Sequence, residues 1–306
     1  MIHAQKPSLP LPALLLLLAL CLCQACAPRA ISQSQPKEGI LLVAFGASAP
    51  EARSAYERIG SEYRRAFPGL PIEWAFTSQI IRKKLAAQGV PAPSVGEALA
   101  ALSRQGVELV RAQSLHVMAG EEFTGLERAL DYYLQEHPRA FKEVWLGRPL
   151  LESRRDAREA AQALKADLGH HCASGEAIVL MGHGQSRGRA GLAMEGARAV
   201  FKEEDPHFFL ATVEGERDFD ELEKELRAAG AKKLLLAPLM LVAGEHARSD
   251  LGGAQEDSWA SRFKKAGFKV EGVSLKGLGE RDGVAPILIR HSREAEENLM
   301  AKPKKL

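Results

Sequence analysis

The chain contains an internal repeat that restricts the folds it can adopt. Three segments of the first half recur, in the same order, in the second half. The matched pairs are LLVAFGAS (41–48) with VLMGHGQS (179–186), WAFTS (74–78) with LATVE (210–214), and QSLHVMAGEE (113–122) with APLMLVAGEH (237–246). The third pair is the strongest, because its Leu and its Ala-Gly-Glu tripeptide keep their register. This repeat predicts two similar structural units within one chain.

Each repeated segment is rich in apolar residues and ends at small or polar residues, which is typical of a strand buried on both faces. Segments with helical spacing lie between them, and strands that alternate with helices favour mainly parallel sheets. We therefore predict an α/β fold of two pseudo-symmetric lobes, each with a mainly parallel sheet flanked by helices. Such sheets bind ligands at the carboxyl ends of their strands, so we expect the ligand cleft between the lobes.

The order of the segments gives the boundaries of the two lobes. The N-terminal α/β lobe is expected over residues 39–151, and the C-terminal α/β lobe over residues 152–306. The last helix is expected around residues 291–299 and could pack on the N-terminal lobe. His291 in this helix is predicted to lie on the helix surface.

Residues 1–30 are typical of a targeting segment. A basic residue precedes a Leu-rich run over residues 9–22, which two prolines interrupt, and small residues follow around Cys26. The run is too short and too interrupted for a membrane span, so it predicts a cleaved signal, an exported periplasmic protein and no integral membrane segment afterwards. Residues 31–38 are polar and form a linker. A lipid anchor at Cys26 is the alternative to a freely soluble exported form.

Charge and cysteine content argue against two classes of protein. The chain has 41 Lys and Arg against 39 Asp and Glu, whereas a nucleic-acid partner normally requires a strongly basic surface. Of the four cysteines, only Cys172 follows the targeting segment. The exported chain therefore cannot form an internal disulfide, and its stability depends on core packing.

The repeat also identifies a candidate site, because the two halves differ at three strand ends. Where the first half has Phe45, Ser78 and Glu122, the second half has His183, Glu214 and His246. Neighbouring strands lie about 4.8 Å apart, so these three side chains of the C-terminal lobe can converge. Two imidazoles and a carboxylate suit a divalent first-row metal ion with open coordination positions, or an acid–base site. Ordinary hydrogen-bonded polar residues at strand ends are the equal alternative.

Two glycines and another histidine adjoin these strand ends. Gly182 and Gly184 flank His183, and their lack of a Cβ atom would let a flat, bulky ligand approach the strand. His116 ends the corresponding strand of the first half, shortly before Glu122. His116 either points into the cleft from the opposite lobe or packs and forms hydrogen bonds locally.

The same segments carry a family resemblance. They are ILLVAFGAS (40–48), AFTSQIIRKKL (75–85), QSLHVMAGEEF (113–123), MGHGQ (181–185), TVEG (212–215) and PLMLVAGEHARSDLGG (238–253). Over about residues 39–292 the chain resembles the anaerobic-type sirohydrochlorin cobaltochelatases, class II tetrapyrrole chelatases of cobalamin biosynthesis. The resemblance implies a two-lobed chelatase fold that holds the tetrapyrrole in its cleft, assembles as a homo-oligomer and inserts Co²⁺ without ATP. It implies no organic cofactor.

The resemblance also implies roles for individual residues. The family's metal ligands fall on His183, Glu214 and His246; the two histidines would also accept the pyrrole protons. The predicted substrate-binding residues are Gly46, Ser48, Ser78, His116, Glu122, Gly182, Gly184, Arg187 and Arg189. Cobalt is the expected substrate metal, but Fe²⁺ and Ni²⁺ accept the same donors and stay open as alternatives.

Two features depart from the family pattern. Gln185 stands where Thr is usual, and residues 186–194 are richer in Arg and Gly than the usual segment, which leaves the identity of the tetrapyrrole open. Arg187 and Arg189 either pair with substrate carboxylates or remain solvated. The targeting segment is the second departure, and it favours an alternative function as an exported metal- or tetrapyrrole-binding carrier without turnover. A two-lobed periplasmic solute binder is a weaker alternative, because it leaves the His/Glu/His set unexplained.

Overall fold

The computed structural model describes residues 36–50, 53–169, 175–184, 190–214, 219–245 and 247–301. Several residues named from the sequence lie outside these ranges: the targeting segment with Cys26, Cys172, Gln185, Arg187, Arg189 and His246. What the sequence predicts for them therefore stays a prediction.

The N-terminal lobe is built on a five-stranded sheet. Its strands are β1 (Glu38–Ala44), β2 (Ile72–Phe76), β3 (Leu109–Ser114), β4 (Glu143–Gly147) and β9 (Glu297–Asn298). Their order is β2-β1-β3-β4-β9; the first four strands pair in parallel, and β9 is antiparallel to β4. The helices that connect these strands are α1 (Arg53–Ala66), α2 (Gln79–Ala87), α3 (Val95–Arg104) and α4 (Glu121–Glu136).

The C-terminal lobe is built on a four-stranded parallel sheet. Its strands are β5 (Glu176–Gly184), β6 (Phe208–Glu214), β7 (Lys233–Pro238) and β8 (Lys269–Val273). The helices in this part of the chain are α5 (Arg154–Leu168), α6 (Ala190–Glu204), α7 (Phe219–Ala228), α8 (Trp259–Lys265) and α9 (Val284–Arg293). A short π-helix (Ala247–Leu251) follows β7, and 3₁₀ turns cover Leu278–Glu280 and Leu299–Ala301.

The two sheets have the same strand order, which confirms the predicted α/β fold with two related lobes. The order β6-β5-β7-β8 repeats β2-β1-β3-β4 of the N-terminal lobe. β1 and β5, which the repeat aligns, are both central, and β1 is buried over all but its first residue. Continuous burial explains why both strands are apolar without alternation.

Serine side chains mark the starts of several helices. Ser94 and Glu97 form a reciprocal capping box at α3, and Ser153 and Asp156 form one at α5. Each box satisfies backbone N–H groups that the first helical turn leaves without partners.

Among the described residues, no helix combines the length and the apolar character needed to cross a membrane.

Three apolar clusters form the interior. One contains residues of both sheets together with α1, α5, α6 and α9. A second lies between the N-terminal sheet, α3 and α4, and a third lies between the C-terminal sheet, α7 and α8. The first cluster therefore joins the two lobes through a shared core.

The chain crosses between the lobes twice, through α5 and α9. α5 follows β4 and precedes β5, whereas α9 follows β8 and precedes β9, which returns to the N-terminal sheet. α5 packs on α6 and α9, and α9 also packs on α1, β3 and β4. The two crossing helices are thus in direct contact.

The last helix differs from the sequence prediction. It runs from Val284 to Arg293, ahead of the expected residues 291–299. Pro286 lies in its first turn, where the missing N–H removes no intrahelical hydrogen bond. The prediction that His291 lies on the helix surface is wrong: the residue is only 1% exposed, because α9 is enclosed by α5 and the N-terminal lobe.

Candidate active site

The three strands that lead to the predicted metal ligands are neighbours in the C-terminal sheet. β5 lies between β6 and β7. His183 is the penultimate residue of β5, Glu214 is the last residue of β6, and the register pairs Gly184 with Glu214. Both side chains are exposed. The structure therefore brings His183 and Glu214 to the same edge of the sheet.

The hydrogen bond of His183 defines its neutral form. Its Nδ1 lies 3.3 Å from the carbonyl oxygen of Gly184, which can only accept, so Nδ1 donates. The neutral ring then has its lone pair on Nε2. This is the form in which an imidazole binds a metal ion or accepts a proton.

The third predicted ligand, His246, lies outside the described residues. The segment that carries it starts after β7, the other neighbour of β5, and the π-helix Ala247–Leu251 follows it directly. π-Helical turns are rare and frequently occur at functional sites. Within the described part of the chain, no group of three or more His, Cys, Asp or Glu residues is arranged to hold a metal ion. The complete ligand set stays a prediction.

Glu122 of the N-terminal lobe lies close to His183 of the C-terminal lobe. It is the second residue of α4, is partly buried, and accepts a 3.4 Å hydrogen bond from the hydroxyl of Thr77, the residue after β2. Burial raises the pKa of Glu122, while the Thr77 hydrogen bond and the charge of His183 oppose the rise. The electrostatic influence of His183 places the two side chains within range of each other, although they belong to different lobes.

The loops after β1 and β7 also meet. A Cβ atom placed on Gly244 would lie 3.9 Å from the Cβ atom of Ala47, an ordinary van der Waals contact. The loop after β7 is further held by backbone hydrogen bonds from Leu278 to Met240 and from Gly279 to Leu241, both 2.8 Å long. The loops after β1 and β7, which belong to different lobes, are therefore in contact at this point.

His116, two residues after the end of β3, is buried. It is 7% exposed, and its Nδ1 lies 2.9 Å from the hydroxyl of Ser114. Its Nε2 is buried and has no hydrogen-bond partner among the residues that the structure describes. Burial lowers the pKa of His116 to about 4, so the imidazole is neutral near pH 7. His116 could therefore contact a ligand as a neutral group but not as a cation.

Protein atoms occupy the space beside the two glycines, which the sequence analysis assigned to a ligand. A Cβ atom on Gly182 would lie 2.9 Å from Cε of Met194 and 3.3 Å from Cγ2 of Thr212. Gly184 has a φ of +77°, and a Cβ atom there would overlap the carbonyl oxygen of Glu214. Packing within the lobe thus explains both glycines, and their part in substrate binding stays a prediction.

The remaining predicted substrate residues lie at strand ends of the N-terminal lobe. Gly46 follows β1 with a φ of +109°, and Ser48 lies two residues further on, partly buried. Ser78 follows β2 and caps α2: its hydroxyl accepts from the N–H of Ile81 at 3.3 Å. Ser78 therefore has a structural task that the sequence analysis did not assign.

Exposed apolar side chains also lie at or near these strand ends, and the sequence pattern alone does not identify them as exposed. They follow or end strands, or start the next helix: Phe45 (43% exposed), Ile80 (69%), Leu192 (82%) and Val213 (43%). Apolar surface at a strand end suits a flat conjugated ligand, whose faces gain from leaving water. The sequence does contain one sign of this apolar surface, because the apolar residue Phe45 occupies the position that corresponds to His183 in the repeat.

Comparison with known proteins identifies the family to which the sequence is similar. The sequence model of the family described as Cobalt chelatase (CbiK) matches residues 38–297. A sirohydrochlorin cobaltochelatase, CbiKC of Nitratidesulfovibrio vulgaris, is 36% identical over 255 residues, which cover 83% of this chain and 89% of the relative. The sirohydrochlorin cobaltochelatase of Salmonella typhimurium is 32% identical over 264 residues, which cover 85% and 96%.

Solved structures share the fold at low sequence identity. SirB from Bacillus subtilis with Fe3+ superposes with a TM-score of 0.61 at 17% identity, over 84% of this chain and 95% of that one. DR2241 from Deinococcus radiodurans is described as a multi-domain protein with structural similarity to chelatases. It superposes with a TM-score of 0.54 at 17% identity, over 85% of this chain and 56% of that chain. The fold is thus that of a chelatase, and the family match over nearly all described residues shows that this chain belongs to the cobalt chelatase (CbiK) family.

Proposed function

We propose that this chain inserts Co²⁺ into sirohydrochlorin, which binds in the cleft between the lobes. One observation carries the proposal: His183 and Glu214 end neighbouring strands at an exposed edge, close to Glu122 of the opposite lobe. The relatives named sirohydrochlorin cobaltochelatase support the choice of metal and tetrapyrrole.

The residues at this edge suit the chemistry of metal insertion. Two pyrrole N–H protons must leave the macrocycle while a partly desolvated dication enters it. In the proposal, His183 and His246 bind Co²⁺ and accept protons, and Glu214 contributes a negative ligand. The raised pKa of Glu122 brings this carboxyl closer to neutral pH, where it exchanges protons more readily. The exposed apolar side chains would contact the faces of the ring.

The reaction is proposed to need no ATP and no organic cofactor, with the metal ion as a substrate. Fe²⁺ is proposed as an alternative substrate metal, because imidazole and carboxylate donors accept both ions. Initial rates with Co²⁺, Fe²⁺ and Ni²⁺, each with and without ATP, would check both points. A strict requirement for ATP would contradict the proposal.

The test compares His183→Ala with the control His137→Ala in the presence of sirohydrochlorin and Co²⁺. His137 is exposed at the end of α4, at the opposite end of that helix from Glu122. Loss of a metal ligand that also accepts protons should lower the initial rate by at least about 100-fold, as followed in the absorption spectrum. The control should keep the wild-type rate. A fully active His183→Ala protein would remove this histidine from the mechanism.

The targeting segment supports export and one competing function, and the family resemblance supports a homo-oligomer. We propose that the protein is exported to the periplasm and forms a homo-oligomer; cell fractionation and light scattering check these points. The competing function is an exported carrier that binds the metal or tetrapyrrole without turnover. Many equivalents of metallated product per protein support the enzyme, whereas one equivalent that stays bound supports the carrier.

A further inference from the structure

The contact between the two crossing helices lies where the chain passes from one lobe to the other. Each lobe is connected to the other through α5 and α9, and these helices pack on each other. A rotation of one lobe against the other must therefore change the packing of α5 on α9. Hinge motions of two-lobed proteins are absorbed at such connections.

Asp156 in the first turn of α5 is buried at this contact. Its side chain is 0% exposed, and each oxygen accepts two hydrogen bonds. Oδ2 accepts from the N–H of Ser153 at 2.9 Å and from its hydroxyl at 2.6 Å. Oδ1 accepts from Arg290 at 2.8 Å and from Nε2 of His291 at 2.9 Å. Four donors identify this group as an ionised carboxylate. Burial opposes the charge, but the hydrogen bonds, led by His291 and Ser153, lower the pKa of Asp156 below its usual range.

The hydrogen bonds of His291 require a charged ring. Nε2 faces the Asp156 carboxylate, and Nδ1 lies 3.1 Å from the carbonyl oxygen of Arg148. Both partners can only accept, so both ring nitrogens must carry protons. Since the side chain is 0% exposed, the imidazolium and the carboxylate form a buried ion pair. The loss of either partner would leave an uncompensated charge in the interior.

The same carbonyl group connects this pair to the cleft. The carbonyl oxygen of Arg148 also accepts a hydrogen bond from Nε2 of Gln113 at 2.8 Å. The same Gln113 nitrogen donates to the carbonyl oxygen of Ser114 at 2.7 Å. Further along the loop, the N–H of Leu150 donates to the carbonyl oxygen of His116 at 2.9 Å. The loop between β4 and α5 is therefore fastened to α9 on one side and to the His116 segment on the other.

We infer that Asp156 and His291 are positioning residues: the buried pair holds the two crossing helices and the loop of residues 148–153 in the arrangement that shapes the substrate cleft. The kinetic part of this inference rests on the proposed function, because it is measured through metal insertion. The structural part does not, because it concerns the state of the loop in the free protein.

The experiment compares Asp156→Asn and His291→Gln with the control Glu159→Gln. Glu159 lies one turn further along α5 and also accepts from Arg290, but it is 34% exposed and does not contact His291. We expect both test variants to raise the KM for the tetrapyrrole by about tenfold and to change kcat by less than about threefold. Amide hydrogen exchange at Leu150 and Leu151 should accelerate by about tenfold. The control should change neither quantity by more than about twofold.

Two outcomes overturn the inference. One is a folded test variant, judged by circular dichroism, with wild-type KM and wild-type exchange at Leu150 and Leu151. The other needs no variant: nitrogen NMR of histidine-labelled wild-type protein should show both ring nitrogens of His291 protonated at pH 7, and a neutral ring contradicts the ion pair. If the wild-type protein does not metallate sirohydrochlorin, the proposed function fails, while exchange and NMR still decide the role of the pair.

Discussion

His116 combines deep burial with an unsatisfied nitrogen. The hydroxyl of Ser114 accepts from the backbone N–H of His116 at 3.3 Å and also lies 2.9 Å from its Nδ1. The other ring nitrogen, Nε2, is buried and has no hydrogen-bond partner among the described residues. A buried polar atom without a partner is costly, and such groups are found where a ligand or water completes the bond. His116 therefore remains a good candidate for substrate contact from the N-terminal lobe.

The burial of His116 predicts a loss of stability in mild acid. The folded state keeps the ring neutral down to a pKa of about 4, while the unfolded chain takes up a proton near its ordinary value of 6.5. The free energy of unfolding is therefore unaffected by the titration of His116 above pH 6.5, and it decreases as the pH falls from 6.5 towards 4. The contribution is about 3 kcal/mol across this window, at about 1.4 kcal/mol for each unit of pKa difference. Urea unfolding at pH 7 and about pH 4 measures it.

The variant His116→Gln isolates this contribution from those of the other titrating groups. We expect its unfolding free energy to fall less between the two pH values than that of the wild type, by about 3 kcal/mol. The control His137→Gln, at an exposed position, should keep the full wild-type dependence. An unchanged pH dependence in His116→Gln would show that His116 titrates normally in the folded protein.

The elements that the sequence predicts best are those whose burial is set by their own lobe. The central residues of β1 and β5 are continuously apolar because helices cover both faces of their sheets, and this pattern is visible in the sequence. For α9, in contrast, the sequence predicts a later start than the structure shows and a surface position for His291, which is buried. A histidine between Arg290 and Ser292 gives no local sign of burial; the enclosure of α9 arises from α5 and β3, which are remote in sequence. Contacts between lobes decide these features, and periodicity does not report them.

The capping boxes of α3 and α5 predict different losses of stability. Ser94→Ala removes the cap of α3, whose partner Glu97 is 67% exposed, and should lower the unfolding free energy by about 1 kcal/mol. Ser153→Ala removes the same kind of cap; both serine hydroxyls also donate to the carboxylate of their box, at 2.7 Å in α3 and 2.6 Å in α5, but only the carboxylate of Asp156 is buried. Hydrogen bonds to buried charges contribute more, so we expect a loss of about 2–3 kcal/mol. Chemical denaturation at pH 7 compares the two variants, and equal losses would contradict the special role of Asp156.

At the scale of the whole molecule, the two related lobes carry different residues at corresponding strand ends. The C-terminal lobe ends two neighbouring strands with His183 and Glu214, whereas the N-terminal lobe has Phe45 and Ser78 at the corresponding positions. The sequence located this difference because the repeat allows position-by-position comparison. It did not locate the exposed apolar edge or the proximity of Glu122 and His183, because both depend on how the lobes face each other.

The shared core predicts that the two lobes unfold together. One apolar cluster contains residues of both sheets, so neither lobe can lose its structure without exposing part of the other's interior. The three tryptophans allow a test, because Trp74 and Trp145 lie in the N-terminal sheet and Trp259 starts α8 of the C-terminal lobe. A Trp259→Phe protein reports the N-terminal lobe, and a Trp74→Phe/Trp145→Phe protein reports the C-terminal lobe. In each protein, urea transitions followed by fluorescence and by far-ultraviolet circular dichroism should coincide. A fluorescence midpoint separated from the circular dichroism midpoint by more than about 0.5 M urea, in either protein, would show that the lobes unfold independently.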